Sequence, residues 1–172
     1  MHIVEETVNV SVPVRTAYNQ WTQFRAFPRF MSVVKRVDQV RPAVLLWVTR
    51  LGPVRREFTT EILEQVPDSH VSWRSLGRAP SHRGEVTFRP TTAGGAAVTV
   101  RMEFDRRGLT GLLGNVPRVT DRVVRLELGN FKEFIEGLGK ECGAWRGTIR
   151  DGHVRPIEPE PPRCRVPNWP VG

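Results

Sequence analysis

The sequence predicts an α+β domain in which a seven-stranded antiparallel sheet, two short helices after the first strand and one long C-terminal helix share a single core. Three observations carry that reading. Seven segments repeat with period two, turns bearing Gly or Pro join six of them in succession, and apolar spacings of three and four occur in two places only, early and late.

The first twelve residues put Val4, Glu6, Val8, Val10 and Val12 on one parity and the mostly polar Glu5, Thr7, Asn9 and Ser11 on the other, as in a half-buried strand. Pro13 breaks the ladder and suits a first helical turn, with Ser11 as the nearby cap. Val14, Ala17, Tyr18, Trp21 and Phe24 form one apolar stripe, which predicts a short helix over residues 14–23. Pro28 blocks simple continuation, so Phe27, Phe30 and Met31 belong to a second short turn folded back over the first. From Ser32 onward "VVKRVDQV", "AVLLWVTRL", "VRREFTTEILEQV", "HVSWRSL", "GEVTFRP" and "AAVTVRMEF" read as strands. Turn signals separate them at Arg41-Pro42, Gly52-Pro53, Pro67-Asp68, Gly77 to Ser81 and Gly94-Gly95, making an antiparallel meander. An entry interrupted by Gly108, Gly111 and Gly114 leads into the long helix. Its apolar face is read as Val116, Val119, Val123, Leu126, Leu128, Phe131, Ile135 and Leu138, with Phe134 beside it. Beyond Gly143 no hydrophobic period is visible and six prolines lie between Arg155 and Gly172. A domain over 1–142 and a Pro-rich tail over 143–172 is therefore the expected organisation.

A chain of 172 residues with 39% hydrophobic content suffices for one core. No run nears the roughly 18 apolar residues of a membrane span, and "MHIVEETVNV" lacks the basic flank and apolar block of a secretory signal, so a soluble, cytoplasmic protein is expected. Cys142 and Cys164 match no metal spacing and are read as free thiols. The net charge of +8 is spread singly, with no zinc-finger, helix-turn-helix or RNP pattern, which argues against a nucleic-acid partner. There is no Gly-x-Ser-x-Gly elbow, Walker loop or His-Glu-x-x-His, and the glycine run at 108–114 is not the dinucleotide fingerprint. Neither a metal nor a cofactor is expected. Glu57, Glu61, Glu103 and Asp105 fall on the polar strand parity, which argues against a paired-carboxylate catalytic site.

The stretches "ETVNVSVPVRTAYNQWTQFRAFPRFM", "RREFTTEILEQVPDSHVSWRS", "GEVTFRPTTAGGAAVTVRMEFD" and "LGNFKEFIEG" resemble the START-related SRPBCC superfamily over residues 2–139, including Val66-Pro67, Val71 and Trp73 to Ser75 of a phrase "VPxxxVxWRS". Within it the chain looks like the small bacterial proteins described as polyketide cyclase/dehydrase-like or coenzyme Q-binding-like. The resemblance implies the helix-grip (START/Bet v-like) fold, in which the sheet curves around the long helix and leaves a cavity between them. The two short helices would close one end. It also implies a broad choice of activity, since the scaffold serves lipid carriers, hormone receptors, quinone-binding proteins and aromatase/cyclases.

Within that frame, strand parity selects inward residues. Phe58 and Ile62 bring Arg56 and Thr60 with them; Val71, Trp73 and Ser75 share a face; His82 joins Gly84, Val86 and Phe88; Val98, Val100, Met102 and Phe104 form an apolar row, while "VLLWV" leaves Leu46 or Trp47 open. Trp21, Phe24, Phe27 and Phe30 either line the pocket mouth or seat the short helices on the sheet, and Phe131 comes from the long helix. A mostly apolar cavity with polar groups at its ends suits a hydrophobic ligand carrying a carbonyl, hydroxyl or acid group. Arg56 either meets a ligand oxygen there or, near the strand end, reaches solvent or pairs with Glu57 or Glu85. His82, of a residue type that titrates at about pH 6.5, is either an acid/base or a surface residue. Tyr18 either orients a ligand or belongs to the core.

Two functions follow. One is binding of a lipid, quinone or polyketide-like molecule; the other is an aromatase/cyclase in which Arg56 stabilises an enolate and Tyr18 or His82 moves protons. Peripheral contact with an anionic membrane through residues 21–31 is a further expectation, in a monomer or homodimer.

Overall fold

A computed structural model describes residues 1–77, 81–105 and 117–155. Strand β1 (His2–Val10) is followed by helix α1 (Val14–Trp21) and a 3₁₀ turn (Phe24–Arg29). Then come β2 (Val34–Arg41), β3 (Val44–Leu51), β4 (Val54–Val66), β5 (His70–Leu76), β6 (His82–Pro90) and β7 (Ala96–Phe104), the long helix α2 (Pro117–Leu138), and β8 (Thr148–Arg150) and β9 (His153–Arg155). The sheet order is β1-β7-β6-β5-β4-β3-β2, antiparallel throughout, so the first strand closes onto the last strand of the meander.

Among the described residues nine strands replace the seven expected. The stretch 143–155, expected as the start of an irregular tail, adds β8 and β9 beside β4 through the pair Gln65↔Ile149, and Ile149 is buried in the core. The strands are three residues each, too short for period two to register, but Asp151-Gly152 is a hairpin signal. Both residues have positive φ, 52° and 74°. Arg146 fastens the segment to the body, donating to Asn19 Oδ1 at 2.8 Å and Asp68 Oδ2 at 2.7 Å. Residues 156–172, with Cys164 and Trp169, and the glycines at 108, 111 and 114 lie outside the described residues, as does Val116.

Helix α1 begins without a side-chain cap; the Ser11 amide donates instead to Glu136, so the expected Ser11 cap is not formed. Helix α2 runs alongside β1. His2 meets Asp121 at 3.1 Å, Arg125 meets Glu6 at 2.7 Å, and Lys132 reaches the Asn9 carbonyl. Its inward stripe differs from the expected one. Thr120, Val124, Glu127, Leu128, Phe131 and Ile135 face in, whereas Leu126 is 56% exposed and Leu138 is also exposed. At 100° per residue Leu126 stands about 200° from both Val124 and Leu128, which puts it on the far side. A bulge between Ile62 and Glu64 shifts the parity of β4, turning Gln65 inward after Arg56, Phe58, Thr60 and Ile62.

Candidate functional site

Between the sheet and α2 lies a cavity of about 220 Å³ whose wall is overwhelmingly apolar. Alternation along the strands builds that wall. β3 contributes Leu45, Trp47, Thr49 and Leu51, which resolves the Leu46/Trp47 ambiguity in favour of Trp47; β4 contributes Arg56, Phe58, Thr60 and Ile62; β5 contributes Val71 and Trp73. His82 comes from β6, Val100, Met102 and Phe104 from β7, and Thr120, Val123, Val124, Glu127 and Leu128 from α2. Gly84 serves the wall by absence: a Cβ there would collide with the Trp73 indole lying across it.

Of the residues singled out in the sequence, Trp21, Phe24, Phe27, Arg56, Phe58, Trp73, Met102 and Phe104 reach the cavity together. Phe30, Phe88 and Phe131 do not. They are buried behind the wall, Phe131 against Trp21 and Phe30 at ring distances of 5.1 and 5.4 Å, and Phe88 against Tyr18 at 5.4 Å. The aromatic stretch is thus inner wall and packing at once. Trp21, Phe27 and Phe30 are buried, while Arg25, Pro28 and Arg29 of the same stretch are exposed.

Arg56 is exposed and forms no ion pair with any described residue. His82 is buried between Phe58 and Phe104, at ring distances of 5.3 and 5.9 Å. Tyr18 is fully buried but does not reach the cavity. Its hydroxyl completes no hydrogen bond, and burial pushes its pKa up to about 12, with Gln65 and then Arg146 pulling weakly the other way. The Tyr18 position therefore contributes no proton donor to the cavity.

One cavity group is not legible in the sequence. Glu127, 5% exposed, accepts from the Ser32 amide at 2.9 Å, the Ser32 hydroxyl at 2.5 Å and the Val33 amide at 3.4 Å. These bonds tie the middle of α2 to the chain entering β2 and satisfy a buried carboxylate without a cation. Glutamate inside an amphipathic helix reads as an outward residue; only the 120/124/127/131 spacing hints otherwise. Inside the wall, Trp47 Nε1 donates to Thr60 Oγ1 at 2.8 Å, which satisfies the indole N–H within the protein. Among the described residues no three of His, Cys, Asp and Glu gather as a metal site, and no helix is long and apolar enough to cross a membrane.

A family model described as "Polyketide cyclase / dehydrase and lipid transport" matches residues 10–133. An uncharacterized 17.2 kDa protein from the melC2-rnhH intergenic region of Streptomyces lincolnensis is 42% identical over 149 residues, covering 87% of this chain and 99% of its own. A START superfamily protein from Mycobacterium smegmatis superposes with a TM-score of 0.61 at 16% identity, over 80% of this chain and 97% of the other. The Zhui aromatase/cyclase from Streptomyces gives 0.59 at 15%, over 80% and 92%. At those identities the two structures establish the shared helix-grip architecture alone.

Proposed function

We propose that the chain, which belongs to the polyketide cyclase/dehydrase and lipid transport family, binds one hydrophobic small molecule between its sheet and α2. The observation that carries this reading is the cavity itself: about 220 Å³ of space walled by Trp47, Phe58, Ile62, Val71, Val100 and Met102. An apolar cavity of that size in a close-packed core costs stability that a ligand restores. Native mass spectrometry of gently purified protein, with extraction of anything carried, and a calorimetric titration with decanol test it. Saturable one-to-one decanol binding is expected; no copurified molecule together with no saturable binding would overturn the reading.

A second reading, a polyketide aromatase/cyclase, draws on Arg56 and His82 standing on one stretch of wall, joined through Phe58. There Arg56 stabilises the enolate of a poly-β-ketone and His82 moves the proton. Its test is the product distribution of an Arg56→Ala protein with an unchanged melting temperature; unaltered products would remove it.

A further inference from the structure

Four polar residues of the cavity gather at one end. His2 pairs with Phe104 and Phe104 with His82, while β5 ends at Leu76 opposite Thr59, so β4 from Val54 to Phe58 projects past it at the same edge of the sheet. The β3–β4 hairpin closes there through Leu51 and Val54. The His2–Asp121 contact brings the first turns of α2 to that edge. Arg50, Arg56, His82 and Thr120 therefore line one end of the cavity, and Trp21, Phe24 and Phe27 line another part of it.

Among the described residues, Arg56 and Thr120 find no partner for the charge or bond they offer. Arg56 makes no ion pair with a described residue, and among those residues the Arg50 side chain donates to the Gly52 carbonyl. Thr120 is 2% exposed, lines the cavity, and its hydroxyl makes no hydrogen bond. A buried hydroxyl left unbonded costs free energy unless something outside the protein completes it. Thr120 lies on the first turn of a 22-residue helix, whose leading amides lack intrahelical acceptors and whose dipole presents partial positive charge. Neither of the nearby α2 carboxylates takes up the Arg56 guanidinium. Asp121 is engaged by His2, and Glu127, seven residues and about 10 Å further along the helix, is held by Ser32 and Val33.

We infer that the ligand is an amphiphile with an anionic head, a carboxylate, held at this end between the Arg56 guanidinium, the Thr120 hydroxyl and the first turn of α2, with its apolar body running inward along Phe58, Trp47 and Ile62. The inference rests on the cavity being a ligand site and adds the charge of what it takes. A guanidinium offers a carboxylate two parallel bonds, and a helix N-terminus and a free hydroxyl favour the same sign.

Calorimetric titration of the full chain with decanoate and with decanol, matched in chain length and differing in head group, tests it. Decanoate is expected to bind about tenfold more tightly than decanol, and the ratio is expected to fall toward one in Arg56→Gln and to drop severalfold in Thr120→Val, both checked for folding by their melting temperatures. Equal binding of decanoate and decanol by the unaltered protein would overturn the inference while leaving the cavity reading intact. A decanoate preference that survives both substitutions would overturn the assigned residues, and failure of both probes to bind would overturn the cavity reading with it.

Discussion

At the end of the cavity beside α1, Trp21 meets Phe27 and Phe131 edge-on, Phe30 spans Phe131 and Phe134, and Phe27 reaches Trp47; every ring is packed against another. At the end beside the first turn of α2, Arg56 lacks an ion pair and Thr120 lacks a hydrogen bond among the described residues. The first region has its contacts complete inside the protein and so is a device for stability. The second has donors without a partner among the described residues, and in the proposed reading it is where a ligand gains affinity and selectivity. The difference separates residues that hold the cavity open from residues that read what enters it.

Substitutions can break this division. Phe131→Ala, which removes a fully buried ring touching Trp21 and Phe30, is expected to lower unfolding free energy by about 3–5 kcal/mol in urea titrations. A loss below about 1 kcal/mol would mean the packed end is not what stabilises the grip. Glu127→Ala leaves the Ser32 amide and hydroxyl and the Val33 amide without their acceptor. A cost of about 1–3 kcal/mol is expected, with faster hydrogen exchange at Ser32 and Val33; unchanged exchange would show that the carboxylate does not fasten α2 to β2.

Tyr18→Phe has a smaller expected effect and the opposite sign, a gain of about 1 kcal/mol below pH 10, because it deletes a buried hydroxyl that is unbonded. The alkaline limb distinguishes the two proteins. The folded phenol ionises near 12 against an ordinary 10.0, so as pH rises past 10 the unfolded chain loses this proton first. Stability contributed by keeping Tyr18 neutral is then lost progressively up to about 12. The Tyr18→Phe protein lacks that contribution to the decline, and parallel urea midpoints across that window would contradict the burial assigned to Tyr18. Smallest of all is the stability effect of Arg56→Gln, expected within about 0.5 kcal/mol, since an exposed cation without an ion pair holds nothing in place; a large loss of melting temperature would move Arg56 from the reading end to the structural one.

The sheet and its inward face are legible because period two persists over strands of seven to thirteen residues, so parity alone puts Arg56, Phe58, Thr60 and Ile62 on one wall. Alternation does not report depth. Phe88 has the right parity yet sits beyond the cavity against Tyr18, because position along a strand decides whether an inward residue meets space or another ring. On α2 the leucines mislead: Leu126 reads as inward for its chemistry, whereas Thr120 and Glu127 hold the inward positions. Polar residues on a buried stripe break the hydrophobic pattern from which a stripe is read, so Thr120 and Glu127 are harder to see than Arg56, which strand parity reveals.

Methyl NMR spectra recorded as decanol is added would locate the ligand. Shifts are predicted at Ile62, Val71 and Val100, which line the cavity, with little change at the buried Val98, Ile135 and Ile149, which do not. Shifts confined to the exposed Leu126, Leu138 and Val154, with Ile62 and Val100 unmoved, would contradict a ligand site between the sheet and α2.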